Sequence, residues 1–403
     1  MINPSTFGWI QKYLDEYFKF NYTLKTELEL YKALRKSGFI YGHTVELIFV
    51  PDFDTNELSD DEKTKLAYLN AMSVIYHLNK SGNQSQKDFI DQLHHFYHLF
   101  IKKRGITFFT WLPKTSKESQ LEKIIDSRLQ INQNDVIKKL YQNLTNSLLF
   151  LDVLAFKNYL NNQFKFSDRY FKIYEENCQG LISYALTHKT NQSHYETMII
   201  NLFQQSLRYS NKQKDHLDSL EELNTEVLSC KIEKLFLLDI LQLALWSDEV
   251  LEPCEKEILR SLISSLNLTN LDLTQSTKTI SSFINNYHDL LPFLKKSNPV
   301  KSLYNQTNKT VAKLIKRNKK RLTKELLESK ELIKLLKESR KKELSPNEKK
   351  LIKKQLLDIC KSIPSLAIFL LPGGGILLPL LIRYIPEMLP SAFNENLERS
   401  KKN

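Results

Sequence analysis

The chain has 403 residues, of which 41% are hydrophobic and 26% charged, and a formal net charge of +12. That length allows two or three domains with cores of their own, and the scarcity of glycine, 9 residues in all, argues against a turn-rich all-β fold while the wealth of Leu, Lys and Glu favours helices. Cys178, Cys230, Cys254 and Cys360 are scattered without metal-ligand or redox-pair spacing, which argues against a zinc-ribbon or disulfide framework and fits a reducing compartment.

The charge is localised. Residues 295–361 hold 22 Lys/Arg against 7 Asp/Glu, so the first 294 residues are slightly acidic. At the N-terminus, MINPSTFGWIQKYLDEYF carries acidic residues and an amphipathic rhythm instead of a basic start followed by an apolar run, so no secretory signal is expected. Phe7, Ile10, Leu14 and Tyr17 or Phe18 recur at the spacing that lines one helix face. Gly38 and Gly42 bracket a break, and Val45–Val50, closed by Pro51, reads either as a short strand or as a buried extended connector.

Ser59-Asp60-Asp61-Glu62 has the Ser-x-x-Glu form of a capping box and predicts a helix running to His77. Further helices are expected over Gln86–Lys102, Glu118–Leu129, Asp135–Leu160 and Arg169–Thr187. Within the third of these, residues 146–156 are apolar nearly all round. With Asp152 inside it, that run is too short to cross a bilayer and marks a core helix. His94, His95 and His98 share a helix face, yet no carboxylate completes an H-E-x-x-H set, and packed or solvated imidazoles are the expectation.

Residues 235–268 read as two helices joined by an acidic elbow. The spacing of Asp248, Val250 and Glu255, with Ala244 before and Ile258 and Leu259 after, resembles the turn of tellurite-resistance TerB-like helical domains. In that family an Ala-Asp-Gly turn precedes a Glu at this distance and the acidic pair is linked to metal binding. Here Ser247 and Glu249 replace the Ala and Gly. Asp248 and Glu255 are therefore candidate oxygen ligands for a hard cation, against a favoured reading as capping and dipole-facing carboxylates, with Glu252 ahead of Pro253 at a helix start. A fainter echo over residues 185–200 places Glu196 like Glu255 but has Lys189 where Asp248 stands.

Lys309–Lys342 reads as one basic helix with a narrow apolar seam at Leu322, Leu326, Leu332 and Leu335 or Leu336. Lys324 with Glu328, and Glu331 with Lys334, are spaced to pair on it. Ser345, Pro346 and Glu348 then signal a new helix start. The candidate lipid- or RNA-facing cations are Lys316, Arg317, Lys319, Lys320 and Arg321, then Arg340, Lys341 and Lys342, then Lys349, Lys350, Lys353 and Lys354. Nucleic acid, anionic lipid and plain solvation compete as readings. No aromatic lies between Tyr304 and Phe369, which counts against base stacking on a single strand.

Between Lys361 and Arg383 no charge interrupts a run long enough to span a hydrocarbon core, and the Lys/Arg density before it assigns the preceding body to the cytoplasm. Pro364, Pro372 and Pro379, with Gly373, Gly374 and Gly375 at the centre, suit a kinked helix in an oligomer or a re-entrant hairpin better than a straight lone span; the soluble alternative is a buried Pro-rich hairpin.

The string from Ile363 to Phe393 resembles the membrane core of the LETM family. Its inner-mitochondrial-membrane members are linked to cation/proton exchange and ribosome binding. The resemblance rests on Pro364, Pro372, Leu377, Leu378 and Pro379, on the basic Arg383, and on Pro386, Met388, Leu389, Pro390, Ser391 and Phe393. Gly375 stands where mitochondrial members carry a Glu between the two central prolines, which removes the carboxylate best placed to carry protons or cations. The large soluble region that follows the span in those members has no counterpart before Asn403. The arrangement resembles bacterial LETM-related proteins, some named as biofilm-associated.

The expectation is an all-α protein: a multi-helical cytoplasmic body, a basic helical arm and a C-terminal Pro/Gly-containing membrane segment. Its divisions fall at 1–165, 166–294 (with the TerB-like elbow), 295–361 and 362–403. No phosphate loop, nucleophile elbow or zinc-spaced set appears, so neither an enzyme nor a cofactor is expected. The resemblance implies an adaptor or scaffold on the bacterial inner membrane, with lipid, a ribosome or membrane protein, and a second copy of the chain as candidate partners. A cation/proton transporter subunit and a soluble basic nucleic-acid binder are the alternatives.

Overall fold

The computed structural model describes residues 2–19, 24–48, 55, 57–80, 82, 84–104, 115–130, 146–188, 217, 219–245, 252–287, 311–338 and 345–361. Among them there is no strand, and no helix is long and apolar enough to cross a membrane. Packing divides the chain into two units, Met1–Phe53 with Asp60–Val300, and Asp54–Ser59 with Lys301–Asn403. The boundary expected at 165/166 falls inside the first unit.

The first unit contains α1 (Trp9–Tyr17), α2 (Glu27–Lys36), a 3-10 turn at Phe39–Tyr41, α3 (Asp60–Asn79), α4 (Gln86–Arg104), α5 (Lys117–Gln130), α6 (Leu149–Asn161), α7 (Asp168–Thr187), α8 (Lys231–Leu245), α9 (Pro253–Ser265) and α10 (Asn270–Tyr287). Helix α3 packs along α6, and α8 along α7. These helices have little amphipathic character because they are buried on nearly every side: α3 from Thr64 to Tyr76, α6 from Leu149 to Lys157, α8 from Leu235 to Leu245.

Local sequence sets the ends. Thr26 caps α2 by accepting from the Glu29 N–H at 3.2 Å, and Ser167 caps α7 by accepting from Tyr170 at the same distance. Helix α3 begins at Asp60, where the capping signature points, but the Glu62 carboxylate accepts a hydrogen bond from the Ser5 hydroxyl. The chain turns at Gly38, whose φ of +81° and close neighbours, the His43 carbonyl and the Phe283 ring, leave no room for a side chain.

Two expectations change, and one open alternative narrows. Phe7 is 62% exposed; Gly8, at φ +86°, turns the chain before α1, whose buried face is Trp9, Ile10, Tyr13, Leu14 and Tyr17. Val45–Ile48 form no strand, and Phe49 to Pro51 lie outside the described residues. The basic arm is not one helix. Residues 311–317, α11 (Lys319–Glu328) and α12 (Lys330–Glu338) are separated at Asn318 and Ser329, followed by α13 (Pro346–Lys361). Asn318 is a minor irregularity, since the bonds Asn318 N–H to Leu314 and Leu322 N–H to Asn318 persist at 3.0 and 2.9 Å. Ser329 restarts the helix, its carbonyl accepting from Ile333 at 3.0 Å.

Candidate functional site

The second unit holds the chain's densest run of Lys and Arg. Its helices turn apolar residues inward: Val311, Leu314, Ile315, Leu322, Leu332 and Ile352 are each at most 2% exposed, and among the described side chains of this unit Leu327 is the large apolar one prominently outside. The α13 start is built as its sequence requires. The Ser345 hydroxyl accepts from the Glu348 N–H at 3.3 Å, and the Glu348 carboxylate takes the Ser345 N–H and hydroxyl at 2.7 and 2.8 Å.

The cations of this unit, the candidates together with Lys313, separate into two groups. Lys313 and Arg317 reach backbone carbonyls of their own unit: Lys313 Nζ donates to Leu58 O at 3.0 Å and Arg317 Nη1 to Glu57 O at 3.1 Å. This clasp was not legible, since its partners are more than 250 residues apart in sequence. Lys316, Lys320, Arg321, Lys350 and Lys354 are exposed, as are Lys324, Lys330 and Lys334. Lys319 is half-buried, and Lys349 and Lys353 lie on α13. Lys324 pairs with Glu328 at 3.8 Å, as its spacing predicts, whereas Glu331 accepts from Gln355 of α13. Arg340, Lys341 and Lys342 lie outside the described residues, as does the whole Pro364–Phe393 motif.

The acidic elbow gives a capping answer at its one described ligand candidate. Glu255 accepts the Glu252 N–H at 2.9 Å, and the Glu252 side chain in turn accepts the Glu255 N–H, a capping box ahead of which Asp248 lies outside the described residues. Among the described residues no group of three His, Cys, Asp or Glu is arranged to hold a metal. His94 bonds Gln120 at 2.7 Å, His95 bonds Tyr159 at 2.8 Å, and His98 is exposed.

Buried polar chemistry in the first unit serves its own packing. Asp239 accepts Arg35 Nε at 2.6 Å and Nη2 at 2.9 Å, together with the Tyr31 and Ser276 hydroxyls. Asp152, the acid inside the apolar run, accepts Arg128 Nε and Nη2 at 2.8 and 2.7 Å and the hydroxyls of Tyr68 and Tyr97. Burial, then the adjacent carboxylates, pushes Tyr31, Tyr68 and Tyr97 well above the usual phenol range, so they remain neutral donors. Near the N-terminus, Glu122 of α5 accepts the Gly8 and Ile10 amides at 2.9 and 3.1 Å; burial still raises its carboxyl. Lys157 donates to Cys230 Sγ and pairs with Glu27, both at 3.1 Å. Burial and Glu233 hold the Cys230 thiol above its ordinary value against the pull of Lys157, so it is not poised as a thiolate.

Residues 344–403 match the family model described as "LETM1-like, RBD". The match opens one residue ahead of the Ser345 capping box and runs through α13 and the Pro/Gly segment. No curated protein and no solved structure matches the chain.

Proposed function

We propose that the chain is a membrane-associated helical adaptor of the LETM-related type, in which the second unit recruits ribosomes and the segment from Ile363 to Phe393 anchors it to the inner membrane. The observation that carries this reading is the match of residues 344–403 to a LETM1-like family whose description includes RBD, which we take as ribosome binding. Support comes from chemistry on both sides of Lys361. Ahead of it stand exposed cations suited to polyphosphate; after it comes an uncharged run of membrane length.

The body of unit one supplies no competing chemistry among its described residues, where the buried acids are engaged by Arg, Tyr, Ser and backbone amides. The adaptor reading is favoured over a transporter subunit because no ionisable side chain lies between Lys361 and Arg383.

The test is fractionation of cells carrying the full chain or a form truncated after Lys361, each membrane pellet washed with high salt and then alkaline carbonate. The reading predicts that only the full chain withstands both washes. A full chain released by either wash would refute the anchor.

A further inference from the structure

The cations of the second unit and the burial of its apolar residues together define what kind of polyanion it fits. Resting on the ribosome-recruiting reading above, we infer that α11, α12 and α13 form a binding surface for the phosphate backbone of double-helical RNA, recognised by shape and charge without reading base sequence.

Four observations carry this. First, exposed cations occur on all three helices at one-turn spacing: Lys320, Arg321 and Lys324 on α11, Lys330 and Lys334 on α12, Lys350 and Lys354 on α13. Residues four apart share a helix face, so each helix offers adjacent charges on one side. Second, each of the three helices turns a described apolar residue, which a membrane-surface helix would turn towards lipid, into the unit. Leu322, Leu332 and Ile352 are each at most 2% exposed, and α11, α12 and α13 pack on one another. A helix lying in a bilayer interface buries its apolar face among acyl chains; among the described side chains of these helices, Leu327 is the one large apolar residue prominently exposed.

Third, residues 305–368 contain no Phe, Tyr or Trp, so the surface lacks the platforms on which single-stranded bases stack. Fourth, all but one of these exposed cations are lysines. An ammonium is a point charge fitted to phosphate, whereas reading bases favours the planar, two-pronged guanidinium. A-form duplexes hide their base edges in a deep groove and present phosphates and 2′-hydroxyls, which is the target such a surface can address.

The experiment measures binding of the purified full chain, in a mild non-ionic detergent, to a labelled RNA duplex over a range of salt. Competitors are a second duplex of unrelated sequence and the single strands; binding to vesicles containing anionic phosphatidylglycerol is measured separately, after the detergent has been removed. The two duplexes should bind equally and both should outcompete the single strands. Replacing Lys320, Arg321 and Lys324 together by Gln removes up to three phosphate contacts, so the salt slope should fall by about 2.7. Between about 50 and 200 mM salt the variant should then lose about 40-fold less affinity than the parent chain. All three positions are exposed, and an unchanged circular dichroism spectrum and melting point verify that the variant is folded.

Preference for single strands, a strong difference between the duplexes, or an unchanged salt slope overturns the inference. So does loss of vesicle binding in the variant with duplex binding intact, which assigns the surface to lipid. Ribosome co-sedimentation of the same preparations separates the two claims. Co-sedimentation without duplex binding defeats this inference alone, and duplex binding without co-sedimentation defeats the ribosome reading alone.

Discussion

The buried Arg35–Asp239 pair ties α2 to α8 across 204 residues of sequence, and its removal should be felt by the whole first unit. Asp239 is 1% exposed and accepts four hydrogen bonds, two from Arg35 and one each from Tyr31 and Ser276. Asp239→Leu leaves a guanidinium buried without its counter-charge, which costs about 3–5 kcal/mol. With a urea dependence of about 3 kcal/mol per M, the unfolding midpoint falls by about 1–1.7 M.

The decisive comparison is the double variant Arg35→Met/Asp239→Leu, which removes both charges. It should recover at least about 2 kcal/mol relative to the sum of the single variants, because the penalty comes from the orphaned charge more than from the loss of attraction. Urea unfolding followed by circular dichroism and tryptophan fluorescence measures all four corners of the cycle. Additive single effects, or an Asp239→Leu cost below about 1 kcal/mol, would refute the argument that this pair is a desolvated unit.

Other consequences follow from the same physics. Gly38→Ala places a methyl 2.1 Å from the His43 carbonyl in a left-handed turn and should cost at least about 2 kcal/mol, whereas Gly8→Ala, equally left-handed but with nothing within 4 Å, should cost about 1; thermal melts rank them. Glu122→Ala strips the acceptor from the Gly8 and Ile10 amides at a cost of about 1–3 kcal/mol, while Glu122→Gln keeps an acceptor and should lose less, as urea midpoints will show. Burial holds both His43 and His77 below the ordinary 6.5, in His77 against the pull of the Ser73 carbonyl. The folded chain therefore binds these protons less readily than the unfolded chain. Their contribution to stability is complete above about pH 6.5 and is lost as pH falls through the window towards their folded values. Unfolding between pH 7.5 and 5.5 should show that loss, and a His43→Gln/His77→Gln variant should show less of it; equal slopes would contradict the assignment.

Much of the helical framework was legible because periodicity and caps are local. Gln86, Asp168 and Lys117 open helices within a residue of where the pattern predicts, and Ser345 with Glu348 builds its expected box. The elbow at Glu252 and Pro253 was legible as a cap for the same reason.

What failed depended on geometry the pattern does not carry. Phe7 fits the α1 periodicity but lies before a left-handed Gly8, so it points outside. The arm's charge run concealed a helix restart at Ser329, where one polar residue interrupts an otherwise strong helical preference. Asp152 announced that something must meet it, since a lone acid in an apolar run needs a partner. Arg128 and Tyr68, 24 and 84 residues away, could not be named from the sequence. Of the candidate site, the α13 cap and the exposed lysines were readable, but the withdrawal of Lys313 and Arg317 onto the 57–58 carbonyls was not.

The central claim is that the C-terminal unit joins a membrane anchor to ribosome recruitment. Its most direct test is sucrose-gradient sedimentation of membranes from cells expressing the full chain or a form lacking residues 344–403, probed for both the chain and ribosomes after nuclease-free lysis. The account predicts that the full chain travels with membranes and enriches ribosomes there, and that the deleted form does neither. A deleted form that still enriches ribosomes on membranes, or a full chain that enriches none, would contradict it.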